Sequence, residues 1–110
     1  MNSSDLELPK FAVGLILGGI DLHIDPDAIL ELSNELSIRP HVRKSRISWE
    51  NQNKGEISAY METEALDADS AGKDMAEELF EVACGSLHKV VGIHIDVIWV
   101  QPIINDHEIE

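Results

Sequence analysis

Two short runs place imidazole beside carboxylate: Asp21-Leu22-His23-Ile24-Asp25 and Ile93-His94-Ile95-Asp96. A neutral imidazole is both a metal ligand and a base near neutral pH, so such a set can hold a divalent, zinc-like ion or move a proton. His23, His94 and Asp96 are therefore the candidate metal ligands, and His23 or His94 the candidate acid–base group. A plainer account competes: alternating polar residues mark the wetter face of two strands. No GxSxG, P-loop, GxGxxG, HExxH or paired-cysteine motif occurs, so no catalytic residue and no cofactor is assigned. Gly18-Gly19 lacks a neighbouring basic residue, and Asp25 and Asp27 would repel a phosphate at the following helix start.

Elements must position these groups. Val90 to Val100 is the densest apolar run and too β-branched to suit a helix. Strict alternation puts Val91, Ile93, Ile95, Val97 and Trp99 on one face and Gly92, His94, Asp96, Ile98 and Val100 on the other. Phe11 to Leu17 alternates in the same way, with bulky odd positions and a thin face at Ala12 and Gly14. Past Gly18-Gly19 the parity inverts to Ile20, Leu22 and Ile24, as a β-bulge would require, unless the glycine pair ends the strand.

Asp25-Pro26 reads as a helix N-cap and first position, followed by the stripe Ile29, Leu32 and Leu36, with Pro40 as the stop. The runs around Ile47-Ser48-Trp49 and Glu56 to Glu64, joined by Asn51 to Gly55, spell a hairpin. Setting Trp49 opposite Ile57 puts Ile47 near Ala59 and Lys44 near Glu62. Leu66 to Ser70 reads as an acidic loop in which Asp69 or Ser70 caps a second helix. Its stripe is Met75, Ala76, Leu79, Phe80, Ala83 and Leu87, with Cys84 as a further core residue.

The order is βαββαβ, the ferredoxin-like α+β sandwich: an antiparallel sheet of order 4-1-3-2 with two helices on one face. A flexible arm (1–9), one domain (10–104) and an acidic tail (105–110) are expected. The outline resembles many small domains of this superfold, including amino-acid-sensing regulatory modules. A small-ligand-sensing or metal-binding regulatory homodimer is the second possibility, with its ligand at a dimer seam near Gly14, Gly18, Gly19 and His94. A small dimeric α/β-barrel type enzyme using His23 or His94 is a third possibility.

Charge narrows the partners. In 110 residues the formal net charge is −13, which opposes nucleic acid and anionic membranes and favours a basic protein partner, unless the acidity reflects a high-salt habitat. The acids Glu64, Asp67, Asp69, Asp74, Glu77, Glu78 and Glu81 form the candidate partner surface; the plain alternative is a solvated helix face. The cations Arg39, Arg43, Lys44 and Arg46 read as edge-strand decoration that neutralises Glu62 and Glu64. A small acidic chain without catalytic groups looks like many immunity or inhibitor proteins, so a non-enzymatic protein-binding module leads. One cysteine, no signal-like segment and no membrane-length apolar run point to a cytoplasmic chain. A homodimer through the last strand is expected, with Gly92, His94, Asp96, Ile98 and Val100 at its interface, because an apolar edge strand wants cover.

Overall fold

A computed structural model describes residues 8–19, 26–51, 55–86 and 92–103. The elements are β1 (Lys10–Gly18), α1 (Pro26–Ser37), β2 (Lys44–Asn51), β3 (Glu56–Glu64), α2 (Ala68–Ser86) and β4 (His94–Pro102). The four strands form one antiparallel sheet of order β2-β3-β1-β4, the βαββαβ ferredoxin-like arrangement expected from the sequence.

Alternation in β1 and β3 explains where the core sits. Phe11, Val13, Leu15 and Leu17 face the helices with Ile57, Ala59 and Met61, and all seven are buried. Leu32 and Leu36 of α1 and Ala71, Met75, Leu79, Val82 and Ala83 of α2 close the other side. Among these, α2 lies over β1 and β4, and α1 lies against β2 and α2. Thr63 joins this buried row, where its hydroxyl donates to the His41 carbonyl at 2.7 Å, which removes the cost of burying it unpaired.

The hairpin register is the expected one: Trp49 opposite Ile57, Ile47 opposite Ala59 and Lys44 opposite Glu62. A turn at Gly55, with φ +65°, precedes β3. α1 starts at Pro26, whose fixed φ suits a first helical residue. The proposed cap Asp25 lies outside the described residues, as do Asp21, His23 and the continuation through Ile20, Leu22 and Ile24. β1 itself stops at Gly18, and Gly19 has φ +81°. A Cβ on Gly19 would run into the carbonyl oxygen of Gly92, so both its backbone angle and its closest neighbour require glycine.

Three expectations are corrected. α2 begins at Ala68, not after Ser70, because Asp67 is its cap: Oδ1 accepts the Ser70 N–H at 2.8 Å and the Asp67 carbonyl accepts the Ala71 N–H. Phe80 is only partly covered and Cys84 is half-buried, since both lie at the rim of the α2 stripe while Val82 lies inside it. The alternation of β4 is broken by a register shift opposite Gly14 and Leu15. Val97 pairs with Leu15 and Trp99 with Gly14, so Ile98 is the extra residue. Trp99 is thereby on the opposite face from Ile95 and Val97, and Val100 joins those two against the helices.

Candidate functional site

Across the helix-free face the register sets side chains in rows. Arg46, Tyr60, Gly14 and Trp99 form one; Lys44, Glu62, Ala12 and Gln101 form the next; Ser48, Ser58, Ile16 and Asp96 lie on the other side. Glycine at position 14 is what lets the first row close. A Cβ there would fall inside the Trp99 indole, so the ring lies across the bare backbone of β1. A Cβ on Gly18 would likewise fall inside the His94 imidazole. The thin face of β1 is therefore covered by two rings reaching inward from the edge strand.

Trp99 and Tyr60 are tilted by 51° with ring centroids 6.1 Å apart, and the Arg46 guanidinium sits 5.7 Å over the Tyr60 ring. Tyr60 donates to Glu62 Oε2 at 2.6 Å. Its phenol is held above its ordinary pKa, first by that bond, then by burial and the Glu62 charge; Arg46 opposes. In these rows Lys44 and Arg46 balance Glu62 and Asp96, so the face is near neutral in a chain of net charge −13.

The acidity lies elsewhere, and much of it is already engaged. Arg39 donates through Nε to Glu78 at 2.6 Å and through Nη2 to Glu81, tying the turn after α1 to α2. Those two carboxylates hold the Arg39 guanidinium above its usual pKa. Arg43 bonds Glu64 at 2.7 Å across the hairpin. Asp67 is spent on the helix cap, and the Ser70 backbone and side chain hold its carboxyl below the usual range. Of the seven candidate partner acids, Glu64, Asp67, Glu78 and Glu81 thus have intrachain partners. Asp69, Asp74 and Glu77 are exposed on α2. The Arg39 pairing was not legible from spacing, since it depends on how α1 packs against α2.

Between α2 and β4 runs a groove of about 560 Å³, lined by Ala76, Glu77, Phe80, Glu81, His94 and Ile95. Beside it the edge strand leaves Val97, Ile98 and Trp99 exposed at 42%, 58% and 40%. Near the start of α2, Gly72 lets the helix sit close to β4: a Cβ there would meet Val100 and Val97 methyls at 3.3 and 3.4 Å. His94 and Asp96 share the helix-free face, as metal ligands would need, while their proposed third partner His23 lies outside the described residues. Among the described residues no three or more His, Cys, Asp or Glu are grouped to hold a metal ion. The five residues of the expected interface do not form one stripe: Gly92 precedes the strand, His94 and Asp96 face away from the helices, and Val100 faces them. Among the described residues no helix is long and apolar enough to cross a membrane.

The topology defines a βαββαβ domain of the ferredoxin-like class. Among solved structures, the chain is similar to the first two RRM domains of yeast poly(U) binding protein, a crystal structure. The identity is 15% and the TM-score 0.37, over 80% of this chain and 48% of that one. The chain thus spans about half the length of that structure, and the likeness is one of fold alone. No protein-family model matches the chain, and no curated protein matches it.

Proposed function

We propose that the chain is a non-enzymatic protein-binding module that engages a basic partner along the groove between α2 and β4. The observation that carries this reading is the groove itself, where Ala76, Phe80 and Ile95 are bordered by the carboxylates Glu77 and Glu81. Exposed apolar side chains next to like charges suit a partner that brings apolar anchors and cations together. The partner surface is narrower than composition alone implies, because Glu64, Asp67 and Glu78 are committed to Arg43, Ser70 and Arg39. Glu77 remains as the groove's exposed charge, with Glu81 shared with Arg39; Asp69 and Asp74, also exposed on α2, do not line it. The inhibitor or immunity role belongs to this reading as one use of such a module.

The test is copurification from the source cell with wild type, Phe80→Lys and Glu77→Lys. A partner that is retained by wild type and lost from both variants supports the groove. A partner retained by both variants places the contact elsewhere. Glu77 is exposed, so Glu77→Lys should keep its stability within about 0.5 kcal/mol, and circular dichroism checks that Phe80→Lys, where the ring is partly covered, keeps the fold.

A second reading rests on the other face. Trp99 and Tyr60 on an open sheet, with Arg46 and Lys44 beside them, can stack unpaired bases of a single-stranded nucleic acid. It ranks second because the four charges in those rows cancel and the whole chain repels phosphate.

A further inference from the structure

Resting on the protein-binding reading, we infer the binding mode: a partner segment adds to the sheet as a fifth strand beside His94–Val97, with apolar residues alternating with cations. The argument begins with the backbone. β4 ends the sheet, and only β1 among the described strands pairs with it, so its outer N–H and C=O groups are a template for another strand.

The two halves of that edge are not equivalent. From Ile98 onward the edge is blunted twice, by the extra residue at the bulge and by Pro102, which has no N–H to donate. His94 to Val97 carries neither device. This same half borders the groove, through His94 and Ile95. A strand laid there points alternate side chains to opposite faces. One set would enter the apolar groove against Ala76, Phe80 and Ile95. The other would lie on the helix-free side beside His94 and the exposed carboxylate of Asp96.

Charge selects the occupant. A second copy of this chain brings another net −13 and carries Asp96 itself on its edge, so the added strand is a segment of a basic protein. Its chemistry is an alternation of isoleucine- or valine-like residues with lysine or arginine over about four to six positions, the length of an ordinary strand.

The experiment titrates the full chain with an eight-residue, capped peptide alternating isoleucine and lysine. Two further copies are used, one N-methylated at every lysine and one at every isoleucine. A strand offers one edge to β4, and alternate N–H groups point to opposite edges, so one methylated copy should bind at least tenfold more weakly while the other binds as the parent does. Asp96→Lys should weaken the parent at least tenfold, and circular dichroism checks that this exposed position leaves the fold intact. If both methylated copies bind like the parent, or both fail, strand addition is overturned while groove binding stands. If the parent peptide binds no better than an isoleucine–glutamate peptide, the protein-binding reading falls with it.

Discussion

β2 and β4 both close the sheet, and they do so in opposite ways. β2 exposes Lys44, Arg46 and Ser48, and α1 packs beside it. Its cations have counterparts within the sheet: Lys44 stands opposite Glu62 in the register, and Arg46 stacks on Tyr60. β4 exposes Val97, Ile98 and Trp99, and Asp96 is its only Asp, Glu, Lys or Arg between His94 and Pro102. Charge on an edge strand opposes pairing, whereas an apolar edge invites it. Within one sheet, then, one border is sealed by composition and the other is left available over half its length. The difference locates the interaction surface more sharply than the net charge does, because the charge is spread over α2, where ion pairs with Arg39 already consume part of it.

The largest effect should come from breaking the way β4 is held to β1. Gly14→Val places a side chain inside the space of the Trp99 ring, which must leave the face or push the strands apart. A loss of about 1–3 kcal/mol is expected, as for overpacking in a close-packed interior. Gly85→Ala is the matched control: a Cβ there meets nothing within 4 Å, and removing a helical glycine should gain about 0.5–1 kcal/mol. Urea denaturation of both variants reads the contrast. If Gly14→Val unfolds at the wild-type midpoint, the ring seat contributes nothing to the attachment of β4.

How much of this was legible in the sequence depends on whether the signal was local. Turn residues and two matching parities narrowed the hairpin register to the observed one or a slip by two; the sheet order followed from the βαββαβ sequence of elements. The bulge at Ile98 could not be read, since an unbroken apolar run carries no mark of where an extra residue sits. Assuming strict alternation therefore put Trp99 on the wrong face. One clue to the ring seats was available: a thin face at Ala12, Gly14 and Gly18 needs bulk from a neighbour, and Trp99 and His94 are the large rings of the antiparallel strand beside it. The groove was the least legible, because it depends on how α2 packs against β4, with Phe80 at its rim.

A smaller effect should follow from unsealing β2. The double variant Lys44→Val and Arg46→Val turns the charged border into an apolar one. The lost cation–π contact over Tyr60 costs about 0.5–1 kcal/mol, so the fold should survive. Light scattering should then show association beyond whatever the wild type shows at the same concentration. A double variant that scatters like wild type would mean that the β2 charges are incidental, and the contrast between the two borders would rest on β4 alone.

The smallest effect concerns the wall of the groove. Asp67 caps α2, and its carboxyl lies below the usual range because the Ser70 N–H and side chain bond the charged form. A depressed native pKa gives stability that is present above the unfolded value of about 4 and is lost as pH falls through the lower native value. Asp67→Ala should therefore melt below wild type at neutral pH, with a gap that stays constant down to about pH 5 and narrows below about pH 4. Thermal melts at pH 7, 5 and 3 measure it. A gap unchanged at pH 3 would show that the cap acts through the shape of the turn and not through its charge. The start of α2 would then be held independently of the acidity around it, and the groove beside β4 should keep its form in acid even as its carboxylates lose their pull on a basic strand.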